Sequence, residues 1–390
     1  MVKYIKELTS AILQLIGWID SESSSIVDVD ICLEWNKVIL EANILDHGGC
    51  FADRGPKPEP TQGPLYSAHA QAIAHMAMFE AYNAIVRKYD SLVIEHDYID
   101  CEGASMDVAV STAVRYVMVG MDGHFTGLYH HNEGIMDHVN FAYGVTMSRV
   151  SLNDDPLAKA KGIACGHKVA IMVMEDRADD GYMPGNAFLV GIPHTASNEP
   201  GTHKKDPLNP DQPYYGKGAS DAEPFTMDND DIKLFRPAPP PGWTADGGLD
   251  QNNAQYVECL ERVKIMGADR GGEGPTISTE DESYIIGNFW SANGSKGTGT
   301  PIALYFDVSR KIAIERGNTL HENMLLFSML SMTIAEAAIS TWDSKVRIEV
   351  FVSIFVPILI IGKGNLISPT SSFYIRVLVV LQFLAPRCGN

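Results

Sequence analysis

Several features that mark common functional classes are missing from this chain. It has no C-x-x-C pair, no run of basic residues, no internal repeat and little of the alternating pattern that marks strands. The six cysteines, Cys32, Cys50, Cys101, Cys165, Cys259 and Cys388, are scattered without zinc-type spacing, which argues against a zinc module. The preference of Cys for interiors makes buried free thiols the expectation; the even number permits disulfides without arguing for them. The missing basic patch matters because the formal net charge is −19, which repels polyanions and argues against nucleic-acid or anionic-membrane partners. In so acidic a chain, an anion site has to be assembled locally from Lys, Arg and helix N-termini in one pocket.

The 390 residues suffice for one large domain or two to three ordinary ones, and 45% hydrophobic with 20% charged residues is the composition of a folded, soluble protein. Near the start, Lys3 and Lys6 precede the apolar stretch "AILQLIGW", but Glu7 intrudes and no small-x-small cleavage site follows. Residues 1–30 therefore read as an amphipathic segment rather than a signal peptide.

What is present is helical periodicity. In "CLEWNKVILEANILDH" the residues Trp35, Val38, Ile39, Ala42 and Leu45 fall on one helical face. The Gly- and Pro-rich "GGCFADRGPKPEPTQGPLY" must be loop. A long helix is predicted from about Ser67 to Val86; its wealth of Ala and Met lets neighbours approach closely and places it in the middle of a bundle. Two more helices are expected over "SMDVAVSTAVRYVMVGM" and "PLAKAKGIACGHKVAIMVMEDRADDG", the second stopped by its terminal Gly. Residues 182–250 hold too many Pro and Gly for regular elements and read as a long loop. Helical patterns resume at "NNAQYVECLERVKIMGA", at "STEDESYIIGNFW", where Ser278, Thr279 and Glu282 resemble a capping box, and at "TLHENMLLFSMLSMTIAEAAISTWDSKV". The expected class is all-α, a helical bundle over residues 31–345 followed by an apolar tail over 346–390.

Four short patterns imitate active sites. "TLHEN" begins like a zinc-protease motif, but Leu325 stands where the second His is needed, so His321 reads as a first-turn surface residue. "GSKGTGTP" lacks the Lys-Ser/Thr of a phosphate loop and reads as a turn before the next helix. His69 and His75 are six residues apart on one helix and face different ways; each is expected to be a hydrogen-bonded interior histidine. Cys165 and His167 belong to one helix and point apart, which argues against a nucleophile pair.

Taken together, "WNKVILEANILDH", "GPLYSAHAQAIAHMAMFEAYNAI", "RADDG", "DPLNPDQP", "FRPAPPP", "IGNFWSANGSKGTGTP" and "RKIAIERGNTLHENMLLFSMLSMTIAEAAISTWDSKV" resemble, in order and spacing, the vanadium-dependent haloperoxidases of the acid-phosphatase superfamily. The resemblance runs roughly from Ile31 to Lys345, with His69 standing where that family usually shows Arg. It implies a helical bundle and a vanadate cofactor held by one His, by Arg, Lys and Ser side chains and by backbone amides. It also implies halide and hydrogen peroxide as substrates, giving a hypohalous species; related phosphatases use the same pocket for phosphate esters. A trianionic oxoanion needs several fixed cations, and the planar donor fork of Arg suits it best.

In the resemblance, Lys345 of the "WDSK" stretch matches the first vanadate-binding cation. Seven places on, where the family continues with Arg-Pro, stand Val352 and Ser353. No Pro-Ser-Gly-His follows, no Arg with a metal-ligating His comes after it, and no histidine at all occurs beyond Lys345. Residues 350–384 instead hold two apolar runs, each too short for the roughly 18 to 20 residues that a membrane crossing takes. The expectation is a haloperoxidase-like chain interrupted before most of its active site, its tail arising from a read-through intron, a shifted frame or a wrong gene model, and therefore inactive. It is further expected to form a homo-oligomer through apolar helix faces left without partners. The alternatives are a phosphatase-related or non-catalytic binding and assembly protein, and a tail-anchored membrane protein.

Overall fold

The computed structural model of the chain describes residues 30–48, 64–92, 101–130, 132–150, 155–182, 217–234, 239–244, 248–266 and 299–347, with backbone alone at 48, 217, 220, 263–266 and 345–347. Chain order gives α1 (Ile31–Gly48), α2 (Pro64–Val86), α3 (Met106–Val119), a two-residue hairpin of β1 (Gly120–Met121) and β2 (Phe125–Thr126), α4 (Glu133–Val150) and α5 (Pro156–Asp176). A 3-10 turn (Lys217–Asp221), α6 (Asn229–Leu234), α7 (Ala254–Met266), α8 (Pro301–Arg316) and α9 (Leu320–Arg347) follow. The all-α expectation holds: among the described residues the sheet is confined to β1 and β2, with Gly120 opposite Thr126 and Met121 opposite Phe125.

The Ala-rich α2 is buried from Pro64 to Ala84 on every side. A helix without a polar face can only be stable inside a bundle, and its small side chains let α3, α5 and α9 close around it. α9 runs antiparallel to it: His321 meets Tyr82 near one end, and six residues on, Phe327 lies beside His75. Over residues 320–344, α9 is long and apolar enough to cross a membrane, but 56% of its most apolar window is buried in the protein; its packing on α2 makes it a core helix.

On α1, Trp35, Val38, Ile39 and Ala42 are buried as expected, but Leu45 is 46% exposed. The buried arc also contains Asn36 and Asn43, which centres it away from Leu45 and leaves that residue on the rim. Trp35 Nε1 donates to Ser111 Oγ at 2.7 Å and ties α1 to α3. Periodicity does not single out α4, whose buried residues are only Ile135, Val139, Thr146 and Val150. Its Arg149 grips both oxygens of Glu34 at 3.0 and 2.9 Å and reaches Asp107 at 3.3 Å, so one guanidinium joins α1, α3 and α4.

The free-thiol expectation fails for one pair: Cys101 and Cys165 form a disulfide across 64 residues, with Cα atoms 5.5 Å apart. Closing a loop of that size contributes about 4 kcal/mol in the chain-entropy account. Cys32 is a buried free thiol, Cys259 is exposed, and Cys50 and Cys388 lie outside the described residues. The approach depends on glycine: a Cβ at Gly162 would lie 2.8 Å from Ser105 O, and one at Gly166 only 2.5 Å from Ala109 O. The stripe Gly162, Cys165, Gly166 thus seats α5 directly on the α3 backbone.

Helix ends account for other departures. α5 stops at Asp176 with Arg177 as its cap, four residues before the expected Gly181, because Arg177 and Asp180 fold the next turn around one another at 2.9 Å. Within the expected loop of 182–250, the 3-10 turn and α6 are regular. Of the Gly-rich stretch before Pro301, Gly299 and Thr300 are described and the rest lies outside the described residues; Thr300 is the N-cap of α8, which ends on left-handed Gly317. Thr319 and Glu322 form a capping box for α9, with Thr319 N–H donating to Glu322 Oε2 at 2.8 Å and Glu322 N–H to Thr319 Oγ1 at 3.3 Å. The box expected at Ser278 and Glu282, like the helical segment of residues 1–30, lies outside the described residues.

The α3–α5 contact can be tested by adding one methyl group. Gly166→Ala is expected to lower stability by about 1–3 kcal/mol through overpacking. Gly144→Ala, on α4 with nothing within 4 Å of the added carbon, is expected to raise it by up to about 1 kcal/mol. Urea unfolding of the two variants beside the parent chain measures both.

Candidate functional site

The residue matched to the vanadate-binding lysine, Lys345, sits in the last turn of α9. Its side chain, like residues 348–390 with the apolar runs of 350–384, lies outside the described residues. The three residues before it, Trp342, Asp343 and Ser344, are buried, so α9 is packed into the protein as far as Ser344.

Facing the same half of α9 is a buried ionic cluster. Asp180, at 0% side-chain exposure, accepts from His69 Nε2 at 2.6 Å and from Arg177 Nε at 2.9 Å. Burial pushes its carboxyl up, but His69, Arg177 and the Tyr182 N–H outweigh that and hold it below the usual carboxylate range. Arg177 spends its other donors on Pro224 O at 3.1 Å and Glu223 O at 2.6 Å, and its guanidinium lies 4.2 Å from the Phe225 ring centre. The His69 ring is stacked on Tyr182 at 4.3 Å and flanked by Phe225 and Tyr66. From α9, Glu336 Oε1 accepts from Thr226 N–H, Thr226 Oγ1 and Met227 N–H. Residues 223–227 are therefore clamped between α2, the turn after α5, and α9.

This cluster does not fit a vanadate group. Arg177 is the one buried Lys or Arg side chain among the described residues, and a carboxylate and two carbonyls occupy its donors. His69 is held by Asp180, and no second cation converges with them among the described residues.

The other singled-out histidines are structural. His75 is wholly buried, its Nδ1 2.7 Å from Gln71 O and its Nε2 3.0 Å from Asn36 Nδ2. Burial lowers its pKa to about 4, against a smaller upward effect of the Gln71 carbonyl. His69 and His75 thus occupy separate surroundings, as their spacing implies. His321 is not the expected surface residue: Tyr82 and Tyr89 hydroxyls engage its two nitrogens at 2.8 and 2.5 Å, and Tyr89 stacks on its ring. Cys165 and His167 make no pair, since Cys165 is in the disulfide and His167 packs edge-on against Tyr116. Thr300, from the Gly-rich stretch, caps Asn43 Oδ1 through its N–H at 2.8 Å.

Sequence reasoning passed over the roles of Arg177, Asp180 and Glu336. The only local signal was the Arg-x-x-Asp spacing in "RADDG"; the partners of Asp180 and Glu336 stand some 110 residues away.

No family model matches the chain. In sequence it is similar to the vanadium chloroperoxidase of Curvularia inaequalis, 25% identical over 375 aligned positions that cover 81% of this chain and 55% of the relative. The chain thus spans about half the length of the curated relative it matches. Its fold is similar to that of a bacterial vanadium-dependent iodoperoxidase, with a TM-score of 0.58 at 18% identity, covering 84% of this chain and 72% of the other. The chain is haloperoxidase-like in sequence over most of its length, and its all-α fold is of the same type.

The buried histidine makes stability depend on acid. An unfolded chain takes up a proton at His75 near pH 6.5, whereas the folded one resists until about pH 4. Stability is therefore whole above pH 6.5 and falls as the pH drops through that window, by up to about 3 kcal/mol. Denaturant midpoints between pH 7.5 and 4 should follow this slope, and His75→Gln should flatten it.

Proposed function

We propose that residues 31–345 form a vanadium-haloperoxidase-like domain, flanked by the segments 1–30 and 346–390, in which Lys345 is the retained cation of the oxoanion pocket. The family reaction is peroxide-driven oxidation of halide to a hypohalous species. The observation that carries the reading is the "WDSK" stretch, which closes α9 in a chain whose fold is similar to that of a vanadium-dependent iodoperoxidase. We propose further that this 390-residue polypeptide neither holds vanadate nor turns over halide. Lys345 offers one point charge against up to three, and a spacing of two residues along a helix does not bring the charge of Arg347 to the same face. The residues after Lys345 bring no Arg-Pro, no Pro-Ser-Gly-His and no histidine. His69, His75 and His321 do not replace them, since each is engaged in a buried or half-buried contact.

The test is direct. The purified chain, given orthovanadate, peroxide and bromide, chloride or iodide, is expected to leave a reporter dye unhalogenated. Its vanadium-51 resonance is expected to remain that of free vanadate. Phosphate-ester hydrolysis is expected to be absent as well, because the phosphatases use the same histidine as nucleophile. Vanadate-dependent turnover that disappears in Lys345→Ala would overturn the inactive reading while supporting the placement of the cation.

A second reading, assembly without chemistry, is favoured by apolar side chains left outside the bundle: Phe141 is 73% exposed, Met329 57% and Ile314 54%. Sedimentation velocity at micromolar concentration is expected to give a dimer or larger species, and a single monomeric boundary would refute it.

A further inference from the structure

Between α1 and α2 runs a buried polar seam with two pins. At one end Asn36 meets His75; at the other Asn43 meets Ser67, Nδ2 to Oγ at 2.6 Å. Gln71 lies on α2 between Ser67 and His75, one helical turn from each.

Following the protons through the seam orients both amides. The His75 Nδ1 faces a backbone carbonyl and must carry the ring hydrogen. The ring is neutral at ordinary pH, so Nε2 only accepts, and Asn36 must present its NH2 to it. Its Oδ1 then points away, buried and without a partner. In the second half, Thr300 Oγ1 donates to Asn43 Oδ1 at 3.2 Å, which leaves the Ser67 hydroxyl hydrogen for Thr300 Oγ1 at 2.7 Å. Ser67 Oγ thus accepts from Asn43 and, at 3.4 Å, from Gln71 Nε2. Reversing the Gln71 amide would set its oxygen against a hydroxyl whose hydrogen is already used. Gln71 Oε1 is the second buried acceptor without a partner.

We propose that this seam is a binding site for internal water, which donates to Asn36 Oδ1 and Gln71 Oε1. Both residues are 0% exposed, and buried acceptors in native proteins nearly always receive a donor. Among the described residues no donor reaches either oxygen, which leaves a small molecule outside the chain to supply the hydrogens. A metal cation is the wrong occupant: two amide oxygens fall far short of the six to eight that a hard cation collects, and none of the seam residues is a carboxylate. Water is small enough to enter by local opening and supplies two donors of its own.

The intact chain is the material for the test. In the parent protein, water-to-amide cross-relaxation at the Asn36 side-chain NH2 is expected to carry the sign of a long-lived water. Deuteron and oxygen-17 relaxation dispersion is expected to show an internal-water amplitude that drops in Gln71→Met and in Asn36→Leu, each of which removes one acceptor. Gln71→Glu, which keeps an oxygen there, is expected to retain it. An amplitude unchanged in both variants, or a parent protein whose Asn36 amide shows no such cross-relaxation, overturns the proposal. The second measurement needs only the parent chain and decides the matter even where a variant does not fold.

Discussion

Burial of α2 on every side sets the terms for the rest of the molecule. With no face turned to water, each polar group on that helix has to find its partner on a neighbouring element. Ser67 finds Asn43 and Thr300, His69 finds Asp180, His75 finds Asn36, and Glu80 takes Ser91 Oγ and the Leu92 N–H. These pairs define which elements lie where around the helix, because each joins a fixed position on α2 to particular residues elsewhere in the chain. An apolar α2 would pack equally well in several rotations; the polar positions remove that freedom.

The α3–α5 contact follows a different logic. There the side chains have been reduced to nothing at Gly162 and Gly166, so that two backbones touch, and a covalent link at Cys101–Cys165 closes one end. Polar pairing orients α2, while small residues and a disulfide hold α5. The turn after α5 then joins the two halves, since Arg177 and Asp180 extend from the α5 cap to His69 on α2.

The helices could be read from the sequence because their signals are local. The Ala and Met content of residues 67–86 and the long apolar periodicity before Lys345 state both length and burial within one segment. The pairs that matter most are not local: Ser67 and Thr300 are separated by 233 residues, His69 and Asp180 by 111. No spacing rule connects them, which is why the disulfide and the clamp on residues 223–227 were invisible, and why Leu45 was assigned to the wrong side of the α1 arc. For the candidate site the sequence offers a single residue. Lys345 stands out because Trp-x-x-Lys is a short pattern on a single helix, whereas an oxoanion pocket is built from residues that only the fold brings together.

The anchoring of α9 has a mechanical side. His321, held between Tyr82 and Tyr89, fixes its first turn, and Lys345 lies 24 residues further on, about 36 Å along a straight helix. Over that lever arm, a tilt of about 5° at the tyrosine anchor swings the far end by about 3 Å, more than the width of a hydrogen bond. The aromatic grip at one end of α9 therefore acts as the pivot of a ruler, and the place of the helix's last turn is set as much by two hydroxyl groups at the opposite end as by the buried Trp342 and Ser344 beside it.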